Sequence, residues 1–309
     1  MPEWVVAILL GMIEGITEFL PVSSTGHLLI AQHWLPRQSD LFNIVIQTGA
    51  VLAVLVVFQG RLRQLAKSGR DPASAAYVKK IVFAFVLTCF GGLVLDKSGL
   101  KLPENMAPVA WATLVGGLLF LLVEKRTGGG SATRPDADTQ ISWTIAGVIA
   151  AAQLLAAIFP GASRSGTTIL VALLLGLSRP AAVEFSFLLG VPTLLAAGGW
   201  KIFKAFRHAD SLATENWMLL ALATATAALT AFVVVRWLLR FIQTHTFTVF
   251  GWYRVVLGLL LLVGSSEKIG QMAPRPFQPV PAIGKNKPFV HKLFTTRAAA
   301  AAAITGRPS

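Results

Sequence analysis

Glu14 and Glu18 stand four residues apart in an otherwise apolar stretch, VVAILLGMIEGITEFL. On a helix that spacing stacks both carboxylates on one face. Two like charges so close repel, so the pair makes sense if one carboxyl is protonated or a cation sits between them. Oxygen donors of this kind suit Mg2+ or Ca2+. The plainer reading is that the two acids cap or pair with a distant basic residue and only hold the fold. Pro21 follows, and then Ser23-Ser24-Thr25-Gly26-His27. Hydroxyls here can cap an incoming helix whose free N–H groups point at the break, and such an N-terminus favours an anion. His27 falls one turn inside that helix, nine residues after Glu18. It is expected to reach Glu18 across the turn and to serve acid–base work or nucleophile activation. A second break supplies the opposite charge. After Pro160, Ser163-Arg164-Ser165-Gly166-Thr167-Thr168 places a guanidinium among hydroxyls at another helix start, and arginine forks match phosphate oxygens. An acid pair, a histidine, an arginine and several hydroxyls facing one cavity suit a metal-bound pyrophosphate attacked in line at phosphorus.

These charges lie in segments that read as membrane-embedded. Of the 309 residues, 54% are hydrophobic and 13% charged, against roughly 25% charged in soluble domains. The apolar runs reach the roughly 20 residues a spanning helix needs. On insertion scales each charge at a helix centre costs roughly 2.5–3.5 kcal/mol, so Glu14, Glu18, Arg164 and Arg254 need compensation. Arg254, in FGWYRVVLG, reads equally as a structural partner of an acid or a carbonyl. Gly11 and Gly15 read as close helix packing, and Glu184 as a charge capping a helix start.

Ten helical segments are expected, at 4–20, 24–35, 41–59, 79–95, 107–124, 141–159, 166–177, 184–206, 216–240 and 249–266. The second and seventh are too short to cross, so each joins its predecessor in a re-entrant hairpin. FLPVSSTG (19–26) and IFPGASRSG (158–166) read as copies, and FNIVIQTGAVLA (42–53) aligns loosely with FSFLLGVPTLLA (185–196). The chain is therefore expected to be an all-α integral membrane protein of two repeats, 1–124 and 141–266, joined by a loop at 125–140. Each repeat holds one hairpin and three spans. A hairpin returns to its own side and three is odd, so the second repeat is inverted, which places a site near the midplane at the repeat interface. Glu14 and Glu18 align with Gln153 and Ala157, so one repeat is acidic where the other supplies the arginine.

The net charge of +13 reads as basic loops against an anionic leaflet rather than as nucleic-acid binding. One set of loops carries twelve Lys and Arg against six on the other side. That puts the first set in the cytoplasm and the first hairpin on the outer side. The basic tail, 267–309, runs against this rule and reads as disordered. The single cysteine, Cys89, excludes an intrachain disulfide framework, and Glu3 in place of a basic n-region argues against a cleaved signal peptide.

EGITEFLPVSSTGH (14–27), PGASRSGTTI (160–169) and FGWYRVVLG (250–258) resemble the undecaprenyl-pyrophosphate phosphatase family, also called the bacitracin-resistance protein family. Gln153 fits the family pattern, and the tail beyond about 270 lies outside it. The resemblance implies a bacterial inner-membrane hydrolase that removes one phosphate from undecaprenyl pyrophosphate, with an outward-facing site and divalent-metal dependence. Carried over by motif position, Glu14 and Glu18 would bind metal, and Glu18 would also serve acid–base chemistry. Ser24 would be the nucleophile, activated by His27 or Glu18, with attack by water left open. Arg164 would grip the pyrophosphate. Ser23, Thr25 and Gly26 from the first break, and Ser163, Ser165, Gly166 and Thr168 from the second, would surround it. The implied partners are the polyprenyl pyrophosphate and membrane lipids, with a homodimer left open. The alternative from another class is a lipid-phosphate flippase or transporter, since broken helices in inverted repeats are also a transporter architecture. A carrier gains little from carboxylates beside its arginine. A third signature, that of acid-phosphatase-like lipid phosphatases, needs a histidine where this chain has Leu170.

Overall fold

The structure, a computed structural model, describes residues 1–67, 71–98, 106–127, 141–207 and 216–266. Residues Met1–Gly270 form one compact unit. The expected inter-repeat loop, from 128 onward, and the basic tail from 267 lie outside the described residues. Eleven helices are found among those described: α1 (Glu3–Thr17), α2 (Ser24–Trp34), α3 (Asp40–Val57), α4 (Gln59–Ala66), α5 (Pro72–Lys97), α6 (Met106–Arg126), α7 (Trp143–Ile158), α8 (Arg164–Leu174), α9 (Arg179–Arg207), α10 (Trp217–Thr244) and α11 (Thr248–Ser266). Helices α3, α5, α6, α9 and α10 are long and apolar enough to cross a membrane. The chain is a multi-pass membrane protein.

All ten expected segments are helices, and the differences lie at their ends. Helix α5 begins seven residues before the expected start because Asp71 caps it, accepting from Ala73 N at 3.3 Å and Ser74 N at 3.0 Å, with Pro72 at the first helical position. Helix α9 likewise begins at Arg179, ahead of Pro180. Glu184 is therefore not at a helix start. It sits in the second turn of α9, where it accepts from Arg61 Nε at 2.8 Å and Tyr77 Oη at 3.2 Å. Arg61 belongs to α4, an eight-residue helix expected as loop, too short and too polar to show as an apolar run.

The helices pair across the repeats in matching fashion. Helix α1 packs on α10 and α7 on α5, which places each hairpin against the second span of the other repeat. Helices α3 and α9, the first after each hairpin, pack on each other, and α6 and α11, the last long helix of each half, form another close pair. In a bilayer the hydrophobic effect does not drive helices together, so close packing of small residues must. A Cβ on Gly15 would lie 2.5 Å from Ala227 O of α10, and one on Gly49 of α3 would lie 2.6 Å from Thr224 O. Gly117 and Gly251 bring α6 and α11 together in the same way. The expected packing role of Gly11 and Gly15 is what the fold uses. Away from the breaks, Glu124 of α6 and Arg179 of α9 form a buried pair, with Nη2 to Oε2 at 2.6 Å and Nε to Oε1 at 3.1 Å. Phe247 N also donates to Glu124 Oε1, at 2.8 Å, which fixes the turn into α11.

Candidate active site at the two helix breaks

Both breaks have one backbone design. Ser23 and Ser163, each just before a short helix, are the only non-glycine residues of positive φ among those described, at 77° and 68°. Such a conformation persists only where its surroundings enforce it. Each serine Oγ accepts from the glycine three residues on, from Gly26 N at 3.3 Å and Gly166 N at 3.1 Å. These bonds cap α2 and α8, leaving the remaining N-terminal N–H groups without intrahelical partners.

The first residues of the two helices, Ser24 and Arg164, converge on Glu18. Ser24 Oγ donates to Glu18 Oε2 at 2.6 Å, and Arg164 Nη2 donates to Oε1 at 3.1 Å. Gln47 of α3 adds a bond from Nε2 to Oε2 at 3.1 Å. Arg164 Nε and Nη1 are buried without a hydrogen-bond partner. The guanidinium lies 5.8 Å from the centre of the Phe19 ring. In this position it packs against Gly190, where a Cβ would displace Nη1. A partly buried arginine with two unused donor atoms beside a buried carboxylate–hydroxyl pair is a place suited to receive acceptor oxygens.

Glu14, one turn back on α1, is 1% exposed, and neither carboxylate oxygen has a hydrogen-bond partner. Its buried lone pairs and the neighbouring Glu18 fit a hard divalent cation. Among the described residues no three His, Cys, Asp or Glu side chains converge. A cation on Glu14 and Glu18 would therefore complete its shell with water or substrate oxygens.

The remaining expected site residues divide into two groups. Ser165 Oγ donates toward Glu18 O (3.1 Å) and Leu20 O (3.0 Å), so it ties the second break to the first. Thr168 is fully buried and bonds to Arg164 O at 2.9 Å within its own helix. Thr25 is exposed at the start of α2. His27 does not bond to Glu18, contrary to expectation. Its Nδ1 lies 2.7 Å from Ser23 O and its Nε2 lies 2.6 Å from Tyr253 Oη of α11. The turn of α2 carries His27 away from α1 and puts Ser24 on the acid instead.

Arg254 settles in favour of carbonyls. It is fully buried and donates to Pro21 O of the first break at 3.1 Å, and to Gly161 O and Ala162 O of the second at 3.2 and 3.1 Å. Further bonds reach Ala112 O and Thr113 O of α6 at 3.2 and 3.3 Å. One guanidinium thus satisfies backbone acceptors that the two breaks free from helix. The room for it comes from Gly116, where a Cβ would collide with Nη2.

The family model described as bacitracin resistance protein BacA matches residues 7–260, which spans both breaks and Arg254. This chain belongs to the bacitracin resistance protein BacA family. It is 46% identical over 261 residues to an undecaprenyl-diphosphatase of Rhizobium etli, covering 84% of this chain and 96% of the relative. It is 47% identical over 264 residues to an undecaprenyl-diphosphatase of Xanthomonas euvesicatoria, covering 85% and 97%. Three site features of this BacA-family chain escaped the sequence reading. Gln47 carried a signal, being an amide inside an apolar helix. Tyr253 carried a weaker one, as one of two tyrosines in the chain and the neighbour of Arg254. Gly190 carried none, since its role is to leave space for a side chain 26 positions earlier.

Proposed function

We propose that this chain hydrolyses undecaprenyl pyrophosphate to undecaprenyl phosphate and inorganic phosphate. It would thereby recycle the lipid carrier of peptidoglycan synthesis and confer bacitracin resistance. The protein would sit in the bacterial inner membrane with the breaks open to the outer side, as the charge of the loops supports. The observation that carries the reading is the 2.6 Å bond from Ser24 Oγ to a Glu18 carboxylate whose other oxygen is held by Arg164. A carrier needs the arginine; it has no use for a hydroxyl bonded to a buried acid.

The diphosphate oxygens meet Arg164 Nε and Nη1 and the N-terminal N–H groups of α2 and α8. These donors are fixed before substrate arrives, so stabilising the transition state needs little reorganisation. Glu18 takes the Ser24 proton as Oγ attacks the terminal phosphorus. The bridging P–O bond breaks on the far side and undecaprenyl phosphate leaves. Glu18 gives that proton to the departing undecaprenyl phosphate; water then attacks the phosphoserine, and Glu18 takes its proton and returns it to Ser24 Oγ as phosphate is released. A bound Mg2+ or Ca2+ on Glu14 and Glu18 would supply charge neutralisation of the diphosphate. Arg254 keeps the two breaks in register throughout.

The test is phosphate release from undecaprenyl pyrophosphate by the purified chain in nanodiscs, with and without EDTA. Expected are release that EDTA abolishes and Mg2+ or Ca2+ restores, and loss of at least about 100-fold in Glu18→Gln. No release with any divalent metal, from folded protein that binds the lipid, would overturn the reading in favour of a carrier.

A further inference from the structure

His27 is held at both ring nitrogens, and the two bonds determine where its proton is. Ser23 O is a carbonyl and only accepts, so Nδ1, 2.7 Å away, carries the hydrogen. The neutral ring then presents a lone pair at Nε2, and the phenol of Tyr253, 2.6 Å away, donates to it. The two rings are parallel to within 6°, with centroids 5.7 Å apart. Tyr253 comes from a rigid mount, because its neighbour Arg254 anchors α11 to carbonyls of both breaks and of α6. Tyr253 is itself 45% exposed. Ser23 is one of the two strained serines at the breaks. The ring thus bridges the first break and the last described helix.

We propose that Tyr253 is the positioning residue of His27. Its phenol fixes the rotation of the imidazole and holds it in the Nδ1–H form, so that Nδ1 keeps donating to Ser23 O, the carbonyl next to Ser24. This deepens the hydrolase reading and rests on it. The effect of Tyr253 passes through His27, since no other polar group of the site lies within hydrogen-bond distance of its hydroxyl among the bonds described.

The experiment is a double-mutant cycle on the full chain in nanodiscs, with undecaprenyl pyrophosphate as substrate: wild type, Tyr253→Phe, His27→Gln and the double variant. Tyr253→Phe is expected to lower kcat by about tenfold at unchanged KM, and to cost nothing further in the His27→Gln background. Wild-type kcat in Tyr253→Phe, a loss confined to KM, or losses that multiply in the double variant would each overturn the proposal. A second measurement needs no turnover: 15N NMR of histidine-labelled protein, with the His27 signals identified by their disappearance in His27→Gln. The wild type is expected to show a single Nδ1–H tautomer, and Tyr253→Phe a mixture; identical spectra overturn the assignment. A wild type that releases no phosphate yet shows the tautomer change would reject the hydrolase and leave the positioning role standing.

Discussion

At the first break the serine of positive φ is followed by Ser24, and at the second by Arg164. The two residues hold the same helical position, and both donate to the same carboxylate, Glu18. The backbone has been kept twice while the side chains have diverged, one to a hydroxyl and the other to a guanidinium. The preceding helices differ in the same sense. Glu14 is a buried carboxylate with no partner, whereas its counterpart Gln153 donates to Thr88 Oγ1 at 3.0 Å, against α5. One backbone turn used twice therefore supplies the scaffold, and the two breaks differ in the side chains it carries.

Five substitutions at four positions probe that division. Replacing Arg164 by Ala removes the donors aimed at the diphosphate, so kcat/KM for phosphate release should fall by about 1,000-fold, with KM rising as well. It also strands Glu18, and the melting temperature in detergent should drop. Ser24→Ala should lower kcat by at least about 100-fold with KM nearly unchanged; a KM effect instead would make Ser24 a binding residue like Arg164. Glu14→Gln gives the first repeat the residue of the second. Activity should fall by about 100-fold while thermal stability holds or rises, because a buried carboxyl group without a hydrogen-bond partner is replaced by an amide of the same shape. A fall in stability would mean that Glu14 holds the fold. The smallest effect tests the shared backbone. Ser163→Gly should change stability by at most about 0.5 kcal/mol, whereas Ser163→Ala loses the cap and keeps the positive φ, costing about 1–2 kcal/mol by detergent unfolding.

Much of the fold was legible because hydropathy and the two prolines are local signals: all ten expected segments are helices, and five of the six expected spans are long and apolar enough to cross a membrane. Helix ends were less so. The Asp71-Pro72 and Arg179-Pro180 starts lie in polar sequence, where an apolar window sees nothing. At the site, residue types in the two motifs identified Glu18, Ser24 and Arg164 as candidates, and the structure brings these three together. It does not bring His27 to Glu18, because spacing along the chain does not set the direction in which a side chain leaves a helix after a turn of positive φ. Tyr253 and His27 are separated by 226 positions, a pairing no local pattern encodes. The partners of Arg254 were hidden for a different reason: they are backbone carbonyls, which every residue possesses.

That last cluster has a consequence for how the molecule is made. Carbonyls of Pro21, Gly161 and Ala162 are bonded by Arg254 of α11, the last of the described helices in chain order. In hydrocarbon each unpaired carbonyl is costly, so the breaks gain their final shape only when Arg254 is inserted among them. A nascent chain lacking α11 would carry Glu18, Ser24 and Arg164 in the membrane without the clamp that aligns their helices. The alignment of the two breaks thus depends on a helix that supplies neither Glu18, Ser24 nor Arg164.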